Sequence, residues 1–340
     1  MKDILAAFGL NENTYRLERI GTGHIHETFR VLGPDSWILQ RVNKNIFLQP
    51  DAIARNWRLA ADYLLDTEPN YVFLRPALTV SGKEMVLDKE GWPWRMFPYL
   101  SGTITIDCVS TEKEAYAAAA AFGGLTRRLN DIPLTGFQET IPHFHDLALR
   151  FKQFEGALAG ATTERIEKAE SSIESVRQFG YLVRQYQELI DSKELRLRIT
   201  HNDTKINNVL LDENTREARC VIDLDTLMPG YFIYDFGDMV RTFVSPVDEN
   251  EEDLNRISFR ENIYQALHEG YLHEMGKVMS AAELKAVPFA GKMMTYIMAL
   301  RFLADFLNGD VYYHTAYIGH NLARAKNQLR YLEVLSARFS

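Results

Sequence analysis

The sequence predicts an α+β protein of two lobes, a small β-rich lobe over residues 1–100 and a larger, mainly helical lobe over residues 101–340. Three observations lead there. A chain of 340 residues exceeds the range in which a single hydrophobic core is usual. β-Branched and aromatic runs bounded by turn residues dominate the first hundred positions. After "FPYLSGT" the apolar residues recur at helical spacing, interrupted by one short β island.

The elements follow in order. "YRLERIGTGHIHETFRVLG" (15–33) holds two β-rich runs around a glycine-containing turn, and "SWILQRV" (36–42) supplies a third strand. "DAIARNWRLAADYLLD" (51–66) changes to helical spacing, with Ile53, Trp57, Ala60, Ala61 and Leu64 on one stripe and Asp51 as the expected N-cap. "KEMVLDKEGWPWRMFPYL" (83–100) returns to strand, broken by Gly91 and Pro93, and the lobe boundary is expected near Pro98 and Gly102. "STEKEAYAAAAAFGGLTRRLN" (110–130) opens with a Ser-x-x-Glu-like box and continues as helix. Charged amphipathic helix fills 143–196, the β island lies at 206–223, and helical periodicity resumes from 251.

Composition narrows the function. With 46% hydrophobic and 25% charged residues, the chain has the makeup of a globular protein with a substantial core. A net charge of −8 argues against a nucleic-acid-binding surface. The two cysteines, Cys108 and Cys220, give neither metal-ligand spacing nor a disulfide framework, which suits a reducing compartment. The first twenty residues contain too short an apolar run for a secretion signal, and no stretch approaches a membrane span, so a cytoplasmic protein is expected.

The chemistry-bearing stretch is "ITHNDTKINNVLLDE" (199–213). His201, Asp203 and Asn208 form H-x-D-x-x-x-x-N, followed by "NVLL" and "CVID", two strands joined by "DENTREAR" and ending in Asp223 and Asp225. A hairpin of that length returns Asp223 to the side of Asn208. Alone, the H-x-D pattern is more often a turn device; the hairpin ending in I-D-x-D favours phosphoryl transfer. In that reading Asp203 accepts the acceptor's hydroxyl proton, Lys205 offsets charge on the transferred group, and Asn208 and Asp223, with Asp225 assisting, hold Mg²⁺. His201 belongs to the scaffold, because no second histidine or cysteine stands at zinc-ligand spacing.

Upstream, Gly21 and Gly23 suit a lid whose backbone N–H groups reach phosphates, though an ordinary hairpin pair would look the same. No Gly-Lys-Ser/Thr follows, so this is not a Walker loop. Arg41 stands where a phosphate-binding lysine is expected, and a one-residue register slip would put Gln40 there instead.

The strings "GTGHIHETF", "ILQRVN", "IPHFHD", "THNDTKINN", "IDLDTLMPG", "YDFGD" and "RFLADFLNGDVYY" together resemble the N-acetylhexosamine 1-kinases, from about residue 18 to about residue 330. That family lies in the aminoglycoside phosphotransferase-like branch of the protein-kinase-like fold. The resemblance implies ATP- and Mg²⁺-dependent phosphorylation of the anomeric hydroxyl of an N-acetylated amino sugar. It implies Asp203 as base and Asn208 and Asp223 as metal ligands. Sugar contacts would fall on His24, Asn43, Arg301 and Tyr312, and nucleotide contacts on Gly21, Gly23, Thr28, Arg41, Met96 and Pro98. Two bland readings stand beside these: Arg301 pairing with Asp305 four residues on, and Tyr312 serving only aromatic packing. The acidic run "DENEED" (248–253) is read as a solvated loop. The competing functions are a kinase of an aminoglycoside, choline or homoserine, and a catalytically silent nucleotide-binding protein.

Overall fold

The computed structural model describes residues 1–20 and 26–339 and has the expected architecture, a small β-sheet lobe set on a helical lobe. A short helix α1 (Lys2–Ala7) precedes strands β1 (Arg16–Ile20), β2 (Glu27–Leu32) and β3 (Trp37–Arg41). Helix α2 (Pro50–Thr67) follows, then β4 (Val86–Leu87) and β5 (Pro93–Pro98), giving an antiparallel sheet of order β1-β2-β3-β5-β4. Alternation along these strands decides what each face does. Val31, Leu39, Trp94 and Met96 close a core beneath α1, while Ile38, Gln40 and Phe97 turn toward the other lobe. The register pairs Leu39 with Met96 and Gln40 with Arg95.

Helix α2 carries the expected stripe, and Trp57 stacks on Phe97 at 4.6 Å between ring centroids. Its cap differs from expectation: the helix starts at Pro50, a residue suited to a first turn, so Asp51 lies inside that turn rather than at the N-cap. Helix α1 was not signalled, being too short to show a helical period.

Strand β6 (Thr103–Ile104) leads into α3 (Glu112–Arg128), whose capping box is Thr111 with Glu114, one residue beyond the expected Ser110. Helices α4 (Leu147–Gly160), α5 (Thr163–Gln178) and α6 (Tyr181–Asp191) precede β7 (Arg198–Thr200). The β island is the hairpin β8 (Val209–Asp212) and β9 (Ala218–Val221), followed by β10 (Met228–Gly230), which pairs with β7. Helices α7 (Phe232–Phe243), α8 (Glu261–Met275), α9 (Ala281–Leu307) and α10 (His320–Arg338) complete the chain.

Helix α9 is buried on nearly every side, and α7 and α10 pack along it. At the α7–α9 crossing a Cβ on Gly237 would lie 2.4 Å from the Ala290 carbonyl oxygen, so only glycine permits this approach. The close approach matters because α7 carries Asp235 to the site. No helix among the described residues is long and apolar enough to cross a membrane.

Gly237→Ala should therefore destabilise the protein by about 1–3 kcal/mol, the cost of overpacking a tight contact. Urea unfolding monitored by circular dichroism measures it, and an unchanged midpoint would refute the constraint.

Candidate active site

The loop between β7 and β8 is hung from α7 by one buried carboxylate. Asp235 accepts the backbone N–H of His201 at 3.0 Å and of Asn202 at 2.7 Å, and its own carbonyl accepts the Thr204 hydroxyl at 2.7 Å. Burial pushes the Asp235 carboxyl up to about 6, against the pull of His201 and these amide dipoles. Asn202 takes a left-handed backbone (φ 64°), which asparagine tolerates, and its side-chain amide donates to the Thr200 and Thr226 carbonyls. His201 accepts the Asp203 N–H on Nδ1 at 3.2 Å, so Nε2 carries the proton donated to the Ile222 carbonyl at 2.9 Å. His201 thus ties the loop to the hairpin end through both ring nitrogens.

Asp203 projects from this loop. Lys205 Nζ lies 3.0 Å from its Oδ1, and the Asn208 amide donates to its carbonyl at 2.8 Å and to Oδ2 at 3.2 Å. Burial opposes ionisation of Asp203, but Lys205, with His201 and Arg241 behind it, outweighs that and holds the carboxyl below its ordinary range. Asp203 in turn raises Lys205, helped by Asp238 and Glu249. With Nδ2 of Asn208 fixed on Asp203, its Oδ1 remains as an acceptor. The hairpin brings Asp223 alongside, since the Ile222 N–H donates to the Asn208 carbonyl at 2.9 Å. Asp223 also has a left-handed backbone (φ 58°, ψ 56°).

Three carboxylates therefore meet in one cleft, each compensated differently. Asp203 has Lys205. Asp225 has Arg95, which forks onto both its oxygens, and His26, whose Nε2 lies 2.6 Å from Oδ2. These partners overcome the burial penalty and hold Asp225 far below the usual carboxylate range. Asp223 is left with carboxylate neighbours: desolvation deep in the cleft raises its carboxyl, and Asp225 and Asp203 raise it further.

Two cavities flank this cluster. One of about 530 Å³ lies under the sheet, lined by Thr28, Gln40, Trp57, Pro98, Leu100, Asn208 and Asp223 among others. The second, of about 600 Å³, is lined by Phe144, Arg150, Arg301, Tyr312 and Tyr313 among others. Asp203 adjoins the first through Asn208. The second cavity is reached only indirectly: His145 meets the carbonyl of the preceding residue, Asn202, at 2.8 Å through Nε2, and its ring packs on Phe144 of that cavity. Burial pushes His145 down to about 3, so it is neutral and structural.

The structure thus gathers Asp203, Lys205, Asn208, Asp223 and Asp225, with Thr28 and Pro98 lining the cavity beside them. Others fall elsewhere. Arg41 points away from the cavity, donating to Glu27 at 2.7 Å and lying over Trp92, and alternation gives the inward place to Gln40. The Met96 side chain is buried in the small-lobe core and its carbonyl accepts the Ala77 N–H at 2.7 Å. Asn43 spends its side-chain oxygen on the Asn45 N–H at 3.0 Å. Asp225 has both oxygens hydrogen-bonded, to Arg95 and His26, and with His26 and Asp223 it forms a group whose potential metal-ligand atoms all lie within 4.8 Å of one another. Gly21, Gly23 and His24 lie outside the described residues. Arg301 does not pair with Asp305, which instead accepts the N–H groups of Val311, Tyr312 and Tyr313; its guanidinium lies against Phe144, Tyr312 and Tyr313.

Four participants were not singled out: His26, Arg95, Arg150 and Glu249. An arginine inside the otherwise apolar run "WPWRMF" was the available signal for Arg95. The acidic run is also less solvated than expected, since Glu249 accepts Arg241 at 2.6 Å while Arg241 holds Asp238 at 2.9 Å.

Comparison with known proteins gives the family and the fold. A sequence profile described as the phosphotransferase enzyme family matches residues 16–279. Among solved structures, a microcompartment-associated aminopropanol kinase superposes with a TM-score of 0.62 at 17% identity, over 99% of this chain and 98% of its own. A choline/ethanolamine kinase family protein from Mesorhizobium loti gives 0.59 at 20% identity, over 98% and 97%. An amicoumacin kinase in complex with AMP-PNP and Ca²⁺ gives 0.62 at 13% identity, over 92% and 87%.

The raised Asp235 carboxyl makes a pH prediction. A group protonated more readily folded than unfolded stabilises the fold most at low pH, here below about 4, and that contribution is lost as pH rises through about 6. Relative to Asp235→Asn, the wild type should lose on the order of 3 kcal/mol between those limits, the worth of moving the carboxyl from 3.8 to about 6. Denaturant melts from pH 4 to 8 test this; a pH-independent difference would contradict it.

Proposed function

Because the chain belongs to the phosphotransferase enzyme family, we propose that it is an ATP- and Mg²⁺-dependent kinase that phosphorylates the anomeric hydroxyl of an N-acetylated hexosamine. The observation that carries the reading is the convergence of Asp203, Asn208 and Asp223: Asn208 and Asp223 line the cavity under the sheet, which suits nucleotide, and the cavity beside Arg301 is the candidate for acceptor. The solved amicoumacin kinase complex, with its nucleotide analogue and divalent cation, supports nucleotide and metal use in this fold.

The residues fit a hard divalent cation. Among the described residues, Asn208 Oδ1 has no donor and Asp223 is the one member of the carboxylate trio with no side-chain cation paired to it. A cation there relieves the repulsion that raises Asp223. When bound, Mg²⁺ supplies charge neutralisation on the nucleotide phosphates.

Asp203 is the base. Held ionised by Lys205, it keeps an unused lone pair on each oxygen, enough to accept the proton of an attacking hydroxyl. Lys205 then balances the negative charge as the proton moves. Thr28 and Pro98 line the nucleotide cavity, and Gln40 takes the place expected of Arg41.

Arg301 and Tyr312 offer a guanidinium and a phenol to the acceptor. Neither Arg301 nor Arg150 is ion-paired among the described residues: Arg301 lies on aromatic rings, and Arg150 donates to the His143 and Phe144 carbonyls and Gln153. These guanidinium groups can donate to the hydroxyl and carbonyl oxygens of an uncharged sugar, while Glu139 and Asp305 in the same cavity balance their charge.

ADP release should be seen with N-acetylglucosamine or N-acetylgalactosamine, giving an acid-labile phosphate, and not with an aminoglycoside, choline or homoserine. No release with either N-acetylhexosamine sinks the substrate assignment. Asp203→Asn should retain nucleotide binding while kcat falls by at least about a hundredfold, the scale of losing a general base. Near-normal turnover would require a different base.

A further inference from the structure

One fully buried ion pair stands beside the reacting groups without touching them. Arg95 on β5 and Asp225 at the end of the hairpin are both about 1% exposed. We propose that Arg95 is the positioning residue of this cleft, clamping Asp225 so that the metal-facing turn at Asp223 is held against the small-lobe sheet. The inference rests on the kinase reading above.

The guanidinium is saturated on two sides. Nε and Nη2 donate to Gln40 Oε1 at 3.1 and 3.0 Å, while Nη1 and Nη2 fork onto the two Asp225 oxygens. The rings of Trp57 and Phe97 lie 5.3 and 5.2 Å from its central carbon. A planar fork with covered faces has one orientation, which an ammonium in its place would not have. Gln40 extends the chain by donating to Thr28 Oγ1 at 3.2 Å. On the far side of Asp225, His26 accepts the Asn43 N–H on Nδ1 at 3.1 Å, so the Nε2 facing Asp225 bears the proton. Strands β2, β3 and β5 and the segment just after the glycine pair therefore all act on one carboxylate.

That carboxylate sits two residues from Asp223, and the left-handed backbone at Asp223 persists only where its surroundings hold it. One tether is the Thr226 hydroxyl on the His201 carbonyl at 2.7 Å. Arg95 is the other. Helix α2 offers this place the indole of Trp57 rather than a carboxylate, so the clamp runs from sheet to hairpin without an ion pair from the helix. Arg58, the nearest cation on α2 in sequence, pairs with Glu84 outside the cleft.

Two variants test the assignment. Arg95→Lys keeps the charge but loses the fork. The double variant Arg95→Met/Asp225→Leu replaces the pair with apolar groups of similar size, an exchange that buried pairs often tolerate. Mn²⁺ affinity in the presence of ADP is read by electron paramagnetic resonance, alongside thermal melting and the KM for the acceptor. Both variants should fold, bind Mn²⁺ at least about tenfold more weakly, and keep the acceptor KM within about twofold, as expected when a partner behind a metal ligand is lost. A smaller loss of Mn²⁺ affinity in either folded variant overturns the proposal. Failure of both to fold also overturns it, making the pair a requirement of the fold. A wild-type protein that binds no Mn²⁺ with ADP would instead refute the kinase reading itself.

Discussion

Everything in the cleft depends on Asp235 replacing water for two backbone amides inside the large lobe. The loop that carries Asp203 makes a left-handed turn at Asn202, and no regular ladder can satisfy the N–H groups on that turn. A buried carboxylate from α7 does so, at the cost of its own desolvation. With the loop fixed, His201 has its two fixed partners, and the hairpin end is drawn to the loop through the Ile222 carbonyl. The glycine at 237 that lets α7 close on α9 thus acts on the site from a distance, through where it places Asp235.

The second constraint is electrostatic. Three carboxylates near one point repel, and the protein neutralises two of them internally and leaves the third. Lys205 helps to keep Asp203 ionised, and Arg95 and His26 hold both oxygens of Asp225. Asp223 is left beside the other two carboxylates, whose repulsion adds to the desolvation that raises it.

Much of this was legible in the sequence because it is local. The strand runs at 15–42, the helix at 51–66 and the hairpin after Asn208 follow from short-range periodicity and turn chemistry, and the hairpin alone pairs Asn208 with Asp223. What was not legible depends on register and on packing between lobes. One residue of strand parity separates Gln40 from Arg41, and no spacing rule fixes it before β3 is paired with β5. Arg95 and Asp225 are 130 positions apart, and His26 lies farther still from the same carboxylate. Where the side chains of Met96 and Asn43 go was not legible either: Met96 turns into the small-lobe core and Asn43 accepts the N–H of Asn45 on its own turn. The acidic run at 248–253 has the composition of a solvated loop, yet Glu249, six residues beyond the end of α7, reaches the buried Arg241 in that helix's last turn.

The most direct measurement of the central claim is a crystal structure of the protein grown with ADP and Mn²⁺, with the metal located by its anomalous scattering. The account predicts the metal on Asn208 Oδ1 and the Asp223 carboxylate, with the Arg95–Asp225 pair intact and the phosphates in the cavity under the sheet. A metal bound instead between His26 and Asp225, or nucleotide seated away from Asn208 and Asp223, would contradict it.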